Sequence, residues 1–269
     1  MKRDIIDSHI HLFPDGLAQR AMGAMLFDEK RRREAGSATD GTADSTKRCL
    51  QALGVMRAVV MPIATKPKQQ GKINQWIQTL DRSFYLPFGA IHPRAEDALE
   101  EMARLKELHI PGIKLHPAYQ QFDLREDRIF RIFEQARALG LMILLHCGNN
   151  RDHPEQIHGH PKYAMELLRA LSGLTLIIAH FGCQRRWDLA LEYVIGQDVY
   201  IDISHTLSAL SSDEAEKMIL AHNPDKILYA SDCPLQDPAS AIRFLEALNI
   251  PETWKERIFC ENARTLFSL

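Results

Sequence analysis

The chain has 269 residues, 45% of them apolar and 25% charged, with a formal net charge of -2 and 12 histidines, a composition that excludes a fibrous or disordered chain and marks an ordinary globular protein. Its one basic run, Lys30 to Arg33, is flanked by acids, so nucleic acid is excluded as the main partner, because phosphate binding needs clustered Lys and Arg. No stretch approaches the roughly 18 apolar residues of a membrane span and MKRDIIDSHIH lacks a signal-peptide core, so a cytoplasmic protein with no membrane partner is expected.

In chain order, eight apolar runs are predicted strands: DIIDSHIH (4–11), RAVVMPI (57–63), YLPFGAI (85–91), GIKLH (112–116), LMILLHC (141–147), LTLIIAH (174–180), VYIDIS (199–204) and KILYASD (226–232). Their near-continuous Val, Ile and Leu content suits strands buried on both faces of a parallel sheet. Helical patterns lie between them. AEDALEEMARLKELHI carries acids in its first turn, while REDRIFRIFEQARALG and KYAMELLRALSG end on Gly140 and Gly173, both placed to close a helix. Ser211 with Glu214 forms a capping box, Asp237 before Pro238 fits a helix start, and a final helix spans 251–267.

Eight strands each followed by a helix predict an α/β fold, a single (β/α)8 TIM barrel over 1–269 with a C-terminal extra helix. A doubly wound open sheet is the alternative, but it would place a glycine-rich phosphate turn where HIHLFP stands. Residues 12–46 break the rhythm with FDEKRRREAG and GSATDGTADST, small, polar and without periodicity. A loop that long at the C-terminal face is expected to be a lid, an inert insertion being the alternative. The five cysteines form no CxxC pair and read as reduced thiols that pack inside.

Polar residues recur at the C-terminal ends of the predicted strands, where barrel enzymes place their chemistry: His9 and His11 on the first, Lys114 and His116 on the fourth, His146 on the fifth, His180 on the sixth and Asp232 on the eighth. Two strand residues two apart face the same way, about 6.5 to 7 Å apart, so His9 and His11 can converge on one ion. With the other histidines and Asp232 at equivalent ends, the set predicts a divalent metal, zinc first, with manganese, iron and cobalt open. Asp232 is suited to bind the metal through one oxygen and take a proton from metal-activated water through the other.

Taken together, DSHIH, GIKLHP, LLHCG, IIAHFG, YASDCP and ENARTLF, in that order from residue 4 to about residue 267, resemble the amidohydrolase superfamily. The resemblance is strongest to its TIM-barrel metal-dependent hydrolase branch, which also contains decarboxylases of aminocarboxymuconate semialdehyde and resorcylate type. It implies a metal held by His9, His11, His146 and Asp232, and His180 as the catalytic histidine that polarises the substrate or relays protons. In two-metal members the strand-six histidine takes a second ion and a carbamylated strand-four lysine bridges the pair. Lys114 leaves that arrangement open, beside one metal with Lys114 as a cationic substrate anchor and His116 near the pocket.

The loop NNRDHPEQIHGHPKY carries Arg151, His153, His158 and His160; Arg151 is a candidate partner for a substrate carboxylate, a solvated loop being the alternative. Asp7 either supports the strand-one ligands or packs. His92 and His205 are expected to be structural, and His109 and His222 carry no assigned role. The leading expectation is a hydrolase acting with metal-activated water on an ester, lactone or amide of a small molecule. The alternatives are a metal-dependent non-oxidative decarboxylase and a catalytically silent metabolite-binding barrel. The partner is a small-molecule substrate, and self-association into a homo-oligomer is left open.

Overall fold

The apolar runs become strands because they are short and apolar, most of them built on Val, Ile and Leu, and are bounded by polar or turn-forming residues. The computed structural model describes residues 3–26, 39–150, 153–204 and 209–269, with the side chains at 150 and 153–156 outside that description. In chain order the strands are β1 (Ile5–Ile10), β2 (Val55–Val60), β3 (Tyr85–Pro87), β4 (Gly89–Ala90), β5 (Gly112–Leu115), β6 (Met142–Leu145), β7 (Gly148–Asn150), β8 (His153–Gly159), β9 (Leu176–Ile178), β10 (Tyr200–Asp202) and β11 (Ile227–Leu228). Every predicted run overlaps a strand, β2 starting two residues before its run. YLPFGAI divides into two, and β7 with β8 is an addition.

Two compact units can be distinguished, one of Met1–Val60, Leu80–Leu86 and Ile203–Leu269, the other of Met61–Thr79 and Pro87–Asp202. In the first, the sheet order is β1-β2-β3, and β1 runs parallel to β2 with Ile5 beside Val55 and Ile10 beside Val60. All six residues of β1 are buried. Its other edge meets residues 229–233: Ser8 N–H donates to the Tyr229 carbonyl at 2.9 Å, Asp232 N–H to the His9 carbonyl at 2.8 Å, and His11 N–H to the Cys233 carbonyl at 2.7 Å. The two segments that carry His9, His11 and Asp232, residues 8–11 and 229–233, are thus stitched side by side.

The final helix, expected over 251–267, contains a π-helical turn at Arg257–Glu261 between α-helical segments Glu252–Glu256 and Asn262–Phe267. In that wide turn Asn262 N–H reaches back to the Arg257 carbonyl, which leaves the Ile258 carbonyl to accept the Tyr229 N–H at 2.8 Å. The Asn262 side-chain amide donates to the carbonyls of Pro224 and Ile227, both at 2.7 Å. The ENARTLF motif therefore braces the strand that leads to Asp232. Ser211 with Glu214 and Asp237 with Pro238 start their helices as expected.

The expectation that 12–46 is without periodic structure needs correction at both ends. Residues Asp15–Met25 form a helix and Thr42 caps another, Ala43–Ala52; DGLAQRAMGAM is rich in Ala, Met, Leu, Gln and Arg, which lose little freedom in a helix. The stretch 27–38, which includes the basic run, lies outside the described residues.

In the second unit five parallel strands take the order β10-β9-β6-β5-β4, with Lys114 in register with Ala90 on one side and Leu144 on the other. At β4, the buried Asn74 side chain donates to the Ala90 carbonyl at 2.9 Å and accepts its N–H at 2.8 Å, replacing the bonds a neighbouring strand would make. Helix Asp127–Leu139 closes on Gly140 at φ 64° as expected. The loop after the fifth run, for which no strand was predicted, contains an antiparallel hairpin, β7 with β8. Its base is glycine because a Cβ on Gly148 would lie 2.4 Å from Gln184 backbone atoms, and one on Gly159 2.6 Å from the His146 carbonyl. Among the described residues no helix is long and apolar enough to cross a membrane.

Candidate active site

In the first unit, β1 and the 229–233 segment bring three predicted ligands together. His9 Nε2 lies 3.6 Å and His11 Nε2 3.1 Å from the same Asp232 oxygen, Oδ1, and all three residues are buried. The two imidazole centroids are 5.1 Å apart, and the three ligand atoms lie within 4.8 Å of one another. Ligands on metal bonds of about 2.1 Å sit roughly 3 to 3.5 Å apart, so the triad fits a divalent ion. His9 supplies a second sign: its other ring nitrogen, Nδ1, is 3.4 Å from Ser204 Oγ, the kind of contact that sets which nitrogen of a ligating histidine faces the metal.

Asp7 lies behind this group, fully buried. Its carboxylate accepts the Ser231 N–H at 3.0 Å, the Ser231 O–H at 2.5 Å and the His9 N–H at 3.3 Å. Of the two readings left open by the sequence, support and packing, these bonds describe support. Asp232 itself has φ 59°, in the left-handed region that a non-glycine residue adopts only where its surroundings hold it.

In the second unit the strand ends of β5, β6 and β9 gather three more predicted residues. The His116 ring is stacked between Tyr119 at 4.0 Å and His146 at 3.9 Å, and His146 meets His180 edge-on at 4.9 Å. His116 also accepts the Tyr119 N–H through Nδ1 at 3.4 Å, while Gln120 takes the His116 N–H and donates to the carbonyls of Ala64 and Ile91. Lys114 is only 1% exposed on β5, a buried cation that needs compensation.

His180 occupies a strained turn. His180, Phe181 and Gly182 have φ 60°, 55° and 85°. The His180 N–H donates to Asp202 Oδ1 at 3.0 Å, the Phe181 N–H to the Asp202 carbonyl at 2.8 Å, and the Trp187 indole N–H to the His180 carbonyl at 3.3 Å. Asp202 and Ser204 are residues that the sequence reading missed. Their one signal was a buried acid and a hydroxyl in the apolar run VYIDIS.

The remaining expected residues divide. Arg151 and His205 lie outside the described residues, as does the side chain of His153. His160 accepts the Lys162 N–H at 3.2 Å as the cap of helix Pro161–Ala170, and His92 accepts the Arg94 N–H. Both have their ring pKa lowered, by burial first and then by nearby cationic side chains. Cys147, Cys183 and Cys233 are buried, and burial pushes the Cys183 thiol up to about 12, which leaves them as packing groups.

A family model described as Amidohydrolase matches residues 6–269. No curated protein matches the chain by sequence. Among solved structures, it is similar to a dihydroxybenzoic acid decarboxylase from a Polaromonas species with bound manganese and the inhibitor 2-nitroresorcinol, at TM-score 0.74 and 17% identity over 99% of this chain and 97% of that one. It is also similar to 5-carboxyvanillate decarboxylase from Novosphingobium aromaticivorans, complexed with manganese and a nitrobenzoic acid (TM-score 0.74, 14% identity, 99% and 96% covered). A third likeness is to an uncharacterised TIM-barrel protein from Bordetella bronchiseptica (TM-score 0.76, 16% identity, 98% of each chain). These likenesses show the fold, an α/β TIM barrel.

Proposed function

The chain belongs to the amidohydrolase family, and on that premise we propose that it is a metal-dependent decarboxylase that removes carbon dioxide, without oxidation, from a small hydroxylated aromatic acid. The observation that carries the metal is the buried His9, His11 and Asp232 group. Likeness over nearly the whole chain to two manganese-bound decarboxylases favours carbon dioxide release over the expected hydrolysis. Manganese joins zinc as a leading candidate for the same reason.

His9, His11 and Asp232 hold the ion in this reading, and the sequence resemblance adds His146 as fourth ligand. An ion held there would supply Lewis acidity toward the anionic oxygens of a substrate. In the reaction the bond from ring carbon to carboxylate breaks, carbon dioxide leaves, and the ring carbon takes one proton. His180 is assigned to deliver that proton from a ring nitrogen, with Asp232 as the other group of the right chemistry, and water restores it. Lys114, His116 and Arg151 are assigned to the substrate's carboxylate and hydroxyl groups, as cations and donors suited to anionic oxygen. Hydrolysis of an ester, lactone or amide is the second reading, favoured by the family's own description.

The test uses the full chain, stripped by chelator and reloaded with manganese or zinc, with 2,6-dihydroxybenzoate and 5-carboxyvanillate as probes. Metal-dependent release of one carbon dioxide per phenol formed is expected, with loss of both metal and turnover in His9→Ala and His11→Ala. Wild-type protein that takes up no metal overturns the proposal. Turnover of an ester, lactone or amide panel without carbon dioxide replaces it with the hydrolase.

A further inference from the structure

The His180 turn is held in a way that its own sequence does not require. Two consecutive non-glycine residues, His180 and Phe181, sit at positive φ, a strained backbone that persists only where its neighbours hold it. The enforcing group is Asp202, at the end of β10 and fully buried. Its side chain takes the His180 N–H and its backbone carbonyl takes the next N–H, of Phe181. A carboxylate oxygen of Asp202 also lies within 4.8 Å of a His180 ring nitrogen. The His180 peptide is therefore bonded to a carboxylate that also lies near its imidazole, while the Trp187 indole donates to the carbonyl of the same residue.

We infer that Asp202 is the positioning residue for His180, holding its backbone in the left-handed turn and its ring in one orientation for proton delivery. The inference rests on the proposed role of His180 as the proton carrier. A buried acid could sit in a strand for packing alone, but a packing role needs no bond to the peptide that bends. A loose imidazole would spend part of its time turned away, and correct orientation is a large part of what proton-transfer catalysis gains.

The experiment compares wild type, Asp202→Asn, Trp187→Phe and His180→Gln as full-length, zinc-loaded proteins. Three quantities are read: metal content, kcat and KM on 2,6-dihydroxybenzoate, and the ring nitrogen spectrum of 15N-histidine-labelled protein, with His180 assigned by its absence in His180→Gln. Asp202→Asn is nearly isosteric and keeps an acceptor for the N–H. It is expected to fold, to hold wild-type metal, to lose roughly 100-fold in kcat with KM within about twofold, and to shift or broaden the His180 ring signals. Trp187→Phe is expected to lose a few-fold in kcat in the same direction.

Wild-type kcat and an unmoved His180 spectrum in folded, metal-loaded Asp202→Asn overturn the inference. If His180→Gln turns over like wild type, the proton-carrier assignment fails instead, and the ring spectrum of Asp202→Asn still decides whether Asp202 orients the histidine. Failure of wild type to turn over the probe counts against the decarboxylase reading and leaves the same spectrum as the deciding measurement. An Asp202→Asn protein that unfolds or loses its metal assigns Asp202 to the fold and overturns the inference.

Discussion

Removing the Asp7 carboxylate tests the idea that β1 and the 229–233 segment act as one metal-holding unit. Asp7→Ala leaves three buried donors facing a void: the Ser231 N–H, the Ser231 O–H and the His9 N–H. A hydrogen bond to a charged group contributes about 1.5 to 3 kcal/mol. Counting only the two shorter bonds, the loss is roughly 3 to 6 kcal/mol, a large fraction of a stability of about 5 to 15 kcal/mol. Asp7→Asn retains an acceptor for one donor and is expected to lose about 1 to 3 kcal/mol. Because Ser231 adjoins Asp232 and the His9 N–H adjoins a ligand, the asparagine variant is also expected to bind metal 10- to 100-fold more weakly, about 1.4 to 2.7 kcal/mol. Urea unfolding of the stripped protein gives the first quantity, and competition for manganese or zinc against a chelating dye gives the second. A folded Asp7→Asn protein with wild-type metal affinity would refute the reasoning and reduce Asp7 to a packing residue.

Glu101 sets a pH dependence. Burial pushes its carboxyl up, but hydrogen bonds from Arg104 and Asn74 outweigh that and hold it below the usual 4.5. The unfolded chain takes up that proton first, so the stabilisation is present above about pH 4.5 and is lost as pH falls through the lower folded value; Glu101→Gln should flatten the acid limb of a stability profile, and an unchanged limb refutes the assignment. Gly148→Ala places a Cβ 2.4 Å from Gln184 backbone at φ +106° and should cost about 1 to 3 kcal/mol, with faster hydrogen exchange in 148–159 as the local mark. In a thiol titration at pH 8, Cys49, the least buried cysteine, should react first. Cys147, Cys183 and Cys233, each with its pKa raised by burial, should stay silent until denaturant is added.

Much of the site was legible because ligand chemistry depends on residue type and strand period. His9 and His11 share a strand end, and Asp232 closes an apolar run, so both stood out against their surroundings. Caps were legible for the same local reason, as at Ser211, Asp237 and Gly140. Contacts across elements were not. Asp202 and Ser204 look like ordinary polar punctuation until β10 brings Asp202 to the His180 peptide and the chain after it brings Ser204 to His9. The helix Asp15–Met25 was hidden because its start has no side-chain cap bond and its polar and small residues resemble the loop that follows. The β7–β8 hairpin was hidden because its register rests on two glycine contacts that no alternation of apolar residues announces.

The stitching of β1 also has a consequence for the order in which the protein is made. One edge of β1 finds β2 within the first 60 residues, but the partner of its other edge begins at Tyr229. At about 5 to 20 residues per second, a growing chain would carry that open edge for on the order of ten to thirty seconds. During that interval an apolar strand displays unsatisfied backbone groups to any neighbouring polysome, the situation in which strands pair with the wrong chain. His9 and His11 wait through the same interval without Asp232, so the three residues can come together only once residue 232 has been made, and their brace, the π-turn at Ile258, emerges later still.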